Sequence, residues 1–436
     1  MNSKIGRRHF LGTLALVGAA AAAQRTASIS SAEAAANPSD GITAASASEL
    51  AAAIRSKQFS SREVVEAHLQ RIATVNPKLN AVVQLTADSA RKEADEADAA
   101  LARGDIKGPL HGVPLTIKDT LETAGVICTG GTKGRANFVP KADATAVARL
   151  RAAGGVVLGK TNVPELAGAA ETDNLVYGRT NNPYDLTRTP GGSSGGEAAI
   201  IAAGGSPLGL GTDAGGSIRI PAHYCRLAAI KPTAGRVPRT GQFLLPLGAR
   251  NPVFHDSLIA RKVEDLALAL PIVGGPDFRD HAIVGMPLGD PAGVALRDLK
   301  VAVFDDDGVA TPTREIKAAV RDAARALADA GVKVEENRPP DKAWHRLFRH
   351  QPRRRRRRHK GVPQEHRDRP DLAAVRAGAD GRGGAGDAQH HRGAGRVRQM
   401  GPVSQFDAAF HRRLRCLAVA GHALSGAAAW HQLRRR

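Results

Sequence analysis

Two serines set among glycines carry the clearest chemical potential in this chain. One lies in Gly191-Gly192-Ser193-Ser194-Gly195-Gly196 and the other in Asp213-Ala214-Gly215-Gly216-Ser217. Glycine lets a backbone turn tightly or approach a ligand closely. A serine on such a loop can act as a nucleophile, with the loop's own N–H groups binding the oxyanion that forms. A nucleophilic serine also needs a base. Lys118 closes the apolar run Gly112–Ile117, where an ammonium is costly unless it is paired or functional. Burial disfavours its charged form and makes it a usable base; the bland alternative is a structural ion-pair lysine. Ser193 also fits G-x-S-x-G, the nucleophile-elbow pattern. That elbow follows directly from a buried strand, whereas Asn181–Asp185 and Pro190 precede this site. Before the last, basic segment its histidine could be His223, His255 or His281, none of which has a recognisable local context. Gly215-Gly216-Ser217 taken alone reads equally as a plain turn. The residues by themselves leave open which serine attacks and what takes its proton.

The elements that must position these groups are legible in outline. Ser46-x-x-Glu49 and Ser60-x-x-Glu63 are capping boxes, predicting helices over about Ala47–Lys57 and Ser61–Thr74, the second stopping before Asn76-Pro77. A polar, Ala-rich helix is expected over Ala87–Arg103. Gly112–Asp119 reads as a buried strand ending on charge. Helix Ala144–Ala153 leads into strand Val156–Leu158, helix Gly196–Ala203 follows the first serine site, and strand Pro207–Gly211 feeds the second. Helix Lys262–Val273, strand Lys300–Phe304, helix Pro312–Ala330 and strand Val332–Glu335 complete the pattern. The alternation predicts one α/β domain with a central sheet.

Length and charge set the bounds. With 436 residues the chain suits one large or two ordinary domains. Its net charge of +20 is uneven: from Asp341 onward 23 Lys and Arg stand against 7 Asp and Glu, so +16 belongs to the last segment. That segment includes six consecutive arginines, Arg353–Arg358, and nine of the 15 histidines. Like-charge blocks of this kind are usually solvated tails that can bind nucleic acid adventitiously. The expectation here is text from a shifted reading frame of a GC-rich gene, so no specific nucleic-acid partner is implied. Cys128, Cys225 and Cys416 have neither metal spacing nor a disulfide framework. At the other end, Lys4, Arg7 and Arg8 precede a 14-residue apolar run, Phe10–Ala23, with small residues Ala34–Ala36 beyond. The run is short for a membrane span. Arg7-Arg8-His9-Phe10-Leu11 resembles a twin-arginine export signal. The expectation is an exported, periplasmic or secreted protein with no stable membrane span after cleavage. The expected organisation is a signal at 1–36, a catalytic domain at 37–339 and an aberrant basic tail at 340–436.

Lys118, the GGSSGG site and the GTDAGGSIRIPA site, in this order and spacing, resemble the amidase signature family. The resemblance runs from about Ser46 to Pro339. It extends to Gly130-Gly131-Thr132, Leu158–Asn162, Asn182–Asp185 and Leu227–Thr233. It implies an α/β fold, with a central mixed sheet flanked by helices and an incomplete C-terminal part. It implies a Ser–cis-Ser–Lys triad with Ser217 as nucleophile, Ser193 as bridging serine after a cis bond to Gly192, and Lys118 as base. Backbone N–H groups of Ala214, Gly215, Gly216 and Ser217 would form the oxyanion hole, with Ser194, Asp213 and Arg219 in support. The implied reaction is hydrolysis of a small-molecule carboxylic amide through an acyl-Ser217 intermediate, without metal or organic cofactor. The family usually carries glycine after the cysteine matched by Cys225. Arg226 stands there instead, which predicts a strained turn. The competing readings are an α/β-hydrolase-type esterase with Ser193 as nucleophile, a member of an amidotransferase that works on charged tRNA, and an inactive frameshifted amidase. The export signal speaks against the tRNA reading. The sequence gives no oligomeric state.

Overall fold

Two capping boxes open the first helical layer. In the computed structural model, which describes residues 38–243, 253–307 and 311–338, α1 (Pro38–Ala44) is followed by α2 (Ala47–Arg55) and α3 (Ser61–Leu79). Ser46 and Ser60 each accept the N–H of the glutamate three residues on, while those glutamates return to the serine N–H groups at 2.8 and 2.9 Å. These bonds satisfy donors that a helix start otherwise leaves orphaned. α3 runs past the expected stop. Pro77 falls in its last turn and forfeits only one bond, to the Ala73 carbonyl. Asn80, at φ +50°, caps the end, and the Asn76 side chain bonds the N–H groups of Ala81 and Val82 at 2.8 Å each. That side-chain clamp turns the chain into β1 (Val82–Leu85), which the sequence pattern does not announce. The polar helix follows as α4 (Ala87–Ala102).

The centre is a six-stranded mixed sheet. β2 (Pro114–Lys118), β3 (Val156–Thr161) and β4 (Leu208–Asp213) run parallel and are buried at every residue, as parallel strands covered on both faces must be. β5 (Ala228–Ile230) and β6 (His255–Ala260) extend it antiparallel beyond β4, and β1 pairs antiparallel with β3. The order is β1-β3-β2-β4-β6-β5. α5 (Thr145–Ala152) and α8 (Val263–Val273) cover one face together with α2, around Leu115, Ile117, Leu208, Leu210 and Leu258. α6 (Gly195–Ala202) and α3 cover the other, around Val156, Leu158, Ile200, Ile201 and Ile259. α7 (Arg219–Tyr224) is a short helix after β4.

The expected central sheet is present, and the last two described strands lie outside it. β7 (Lys300–Val303) and β8 (Lys333–Glu336) pair in parallel as a separate two-stranded sheet, joined through α9 (Arg314–Asp329). The expected alternation of helix and strand is present here; which strands hydrogen-bond to one another is a long-range choice that local pattern does not carry. The export segment and the basic tail expected at the two ends lie outside the described residues. Among the described residues, no helix is long and apolar enough to cross a membrane.

Candidate active site

Ligand sites in open α/β sheets lie beyond the carboxyl ends of the strands. Lys118 is the last residue of β2 and Asp213 the last of β4, its neighbour. Ser193 and Ser194 occupy the turn into α6, and Ser217 the loop from β4 into α7. The sheet thus brings three distant stretches to one edge.

Lys118 is fully buried. Its Nζ donates to Ser193 Oγ at 2.7 Å, Thr212 Oγ1 at 2.8 Å and Ser194 Oγ at 2.9 Å, with the Thr212 carbonyl at 3.4 Å. Among the described residues no carboxylate bonds it directly, so the lysine is held by hydroxyls and not by an ion pair there. Burial pulls its pKa down to about 7, against the opposing charges of Asp213, Glu197 and Asp256. An amine with that pKa is partly neutral near pH 7, and a general base works best there.

The Gly192–Ser193 peptide bond is cis. Thr172 supports the turn: its hydroxyl donates to the Gly191 carbonyl at 2.9 Å and accepts the Gly195 N–H at 3.1 Å. The two serine loops are joined by the Ser194 N–H, which donates to the Ser217 carbonyl at 3.0 Å. Ser217 itself is half-buried, and among the described residues its hydroxyl has no hydrogen-bond partner. Catalytic hydrogen bonds commonly tighten only when substrate is bound.

Asp213 organises the Ser217 loop. Its Oδ1 accepts the Gly216 N–H at 3.0 Å and its Oδ2 the Ile218 N–H at 3.1 Å, while the Arg219 guanidinium grips both oxygens at 2.9 and 3.0 Å. Burial opposes ionisation, but these donors outweigh it and hold the Asp213 pKa at about 2. Gly216 has φ +111°, a conformation open in practice to glycine alone. One expectation changes here. The family resemblance implies Gly216 as an oxyanion donor, but its N–H is engaged by Asp213, whereas those of Ala214, Gly215 and Ser217 have no backbone or side-chain acceptor among the described residues. Ser194, Asp213 and Arg219 sit as scaffolding between the loops.

Ser193 is preceded by irregular backbone, not a strand. No histidine bonds either serine among the described residues. His223 and His281 are exposed, and His255 is buried with Nδ1 on the Val253 carbonyl and Nε2 unpartnered. Among the described residues the elbow reading therefore has neither its strand nor its base. Three residues of the site escape sequence reasoning: Thr212, Glu197 and Asp256. Thr212 stands between Gly211 and Asp213, and that position is the one signal that could have pointed to it. Asp256 faces Thr212 in the β4–β6 register, with both carboxyl oxygens buried and without a hydrogen-bond partner, and burial raises its pKa well above the carboxylate range. Arg226, the residue in place of glycine, has φ +58°.

Comparison with known proteins identifies the family and the fold. A family model described as Amidase matches residues 63–347, and the chain belongs to that family. It is 43% identical over 284 residues to a glutamyl-tRNA(Gln) amidotransferase subunit from Roseiflexus sp. (strain RS-1), covering 64% of this chain and 57% of that protein. Among solved structures it is similar to a fatty acid amide hydrolase (TM-score 0.66, 31% identity, 70% of this chain and 55% of that one). It is also similar to the peptide amidase of Stenotrophomonas maltophilia (TM-score 0.63, 33% identity, 70% and 64%). The chain therefore spans somewhat over half the length of the proteins it matches.

Proposed function

We propose that this protein hydrolyses a carboxylic acid amide to the acid and ammonia or an amine, through an acyl-enzyme on Ser217. The observation that carries the proposal is the buried Lys118 Nζ at 2.7 Å from Ser193 Oγ, on a loop bonded to that of Ser217. In this scheme Ser217 Oγ attacks the amide carbonyl carbon. Its proton passes to Ser193 Oγ as the Ser193 proton passes to the neutral Lys118 amine. The oxyanion lies against the N–H groups of Ala214, Gly215 and Ser217; losing one such donor typically costs about 2.7–4 kcal/mol of transition-state stabilisation. The relay then runs backwards, protonates the leaving nitrogen, and the C–N bond breaks. Water, deprotonated by the same relay, attacks the ester and releases the acid. The scheme uses no metal or organic cofactor. Simple aliphatic and aryl primary amides are the first substrates to try.

The test is ammonia release from such an amide, together with labelling by an acylating probe. Turnover and labelling lost in Ser217→Ala are expected. Labelling that persists on Ser193 in that variant would overturn the assignment. The likeness to an amidotransferase favours a second reading, in which ammonia is passed to an acceptor; free ammonia released at full rate without any acceptor argues against it. Export through residues 1–36 remains part of the proposal. Replacing Arg7 and Arg8 by lysine is expected to retain the protein in the cytoplasm, as cell fractionation will read.

A further inference from the structure

Glu197 is a fully buried acid on α6, three residues beyond Ser194. It takes no part in the proton relay, yet it bonds the strand that carries Lys118 and that strand's neighbour. Its Oε2 accepts the Thr116 hydroxyl on β2 at 2.6 Å, and its Oε1 accepts the Thr161 hydroxyl on β3 at 3.0 Å. Thr116 lies two residues before Lys118, and residues i and i+2 of a strand share a face. One face of β2 is therefore pinned at two levels: Thr116 to Glu197 on α6, and Lys118 to the Ser193–Ser194 turn that leads into it. Thr161 is the register partner of Lys118 across β2–β3. The third strand makes room for the carboxyl: a Cβ on Gly209 of β4, the register partner of Thr116, would collide with Glu197 Oε2.

We propose that Glu197 is a positioning residue, whose carboxyl fixes α6 against β2 and β3 and so sets the separation of Lys118 and Ser193. The inference rests on the amidase reading, because the geometry it protects is that of the proton relay. Burial pushes the Glu197 pKa up, while the Thr116 and Thr161 hydroxyls and the nearby Lys160 and Lys118 hold it down. A positioning role asks for shape and hydrogen bonding at this position, both of which glutamine largely keeps.

The experiment measures kcat and KM for amide hydrolysis, per folded molecule by thermal melt, in Glu197→Ala, Glu197→Gln, Thr116→Val and the Glu197→Ala/Thr116→Val double variant. A relay misplaced by about 1 Å loses about 10²-fold in rate. Glu197→Ala is expected to lose kcat on that order with KM little changed, and Glu197→Gln to restore most of it. Thr116→Val, close to isosteric and the safer folder, is expected to show a smaller loss, on the order of 10-fold, that disappears in the Glu197→Ala background. Losses that merely follow the unfolded fraction would overturn the proposal. So would equal losses in Glu197→Ala and Glu197→Gln, or additive losses in the double variant. Failure of the amidase reading is distinct: there, wild type releases no more ammonia than Ser217→Ala, and the positioning role falls with it.

Discussion

The six-stranded sheet and the β7–α9–β8 unit are built by the same alternation of strand and helix, yet they use burial in opposite ways. In the large sheet, β2, β3 and β4 are buried at every position, and their polar side chains are held inside: Lys118 bonds Thr212 across β2 and β4, and Thr116 and Thr161 bond Glu197 on α6. In the smaller unit no residue of α9 is buried, and β7 and β8 are half-buried at best. Apolar periodicity is present in both. The difference is that the large sheet has helices on both faces. Among the described residues, a lysine is shifted to about pH 7 in the low-dielectric interior of the large sheet and not in the smaller unit.

The comparison breaks most visibly at Lys118. Lys118→Ala is expected to reduce kcat on the order of 10⁴-fold, since members of a relay act as a unit; a loss below about tenfold by initial rates would place the base elsewhere. Core truncation comes next. Ile117→Ala, at a fully buried site, is expected to cost about 2–5 kcal/mol by denaturant unfolding. Leu327→Ala on half-buried α9 should cost less than about 1 kcal/mol. Equal costs would show that the smaller unit is as well packed as the large sheet. The pH profile sharpens the electrostatic contrast. Burial lowers the Lys118 pKa, so kcat/KM should rise with pH through an apparent pKa near 7 as the amine loses its proton. Asp213, held ionised, raises that pKa, so Asp213→Asn should move the rise to lower pH, along with any loss in rate from the disturbed loop. The smallest effect is expected at Arg226, at φ +58°. Arg226→Gly should stabilise the fold by about 1 kcal/mol, because the left-handed region penalises side chains with a Cβ. An unchanged melting temperature would mean that the arginine's own contacts offset the strain.

Much of the first layer is legible because its signals are local. The capping boxes at Ser46 and Ser60 mark helix starts through contacts three residues apart, and the glycines around Ser193 and Ser217 mark tight loops. The extension of α3 through Pro77 is not legible, because Asn76 secures that end by bonding residues of the next strand. Nor is β6, whose Asp256 is a buried carboxyl in a stretch that reads as polar.

The chain itself supplies the cast of the site: a lysine closing an apolar strand and two glycine-set serines. These follow from composition and short-range geometry. Only the tertiary structure decided which groups meet. It set the Gly216 N–H on Asp213 instead of leaving it for an oxyanion, placed Thr212 and Ser194 on Lys118, and put Glu197 across two strands. Those contacts join residues 75 to 94 positions apart around Lys118 and 36 to 81 apart around Glu197. They depend on sheet register and helix docking, and no local preference in the chain encodes either.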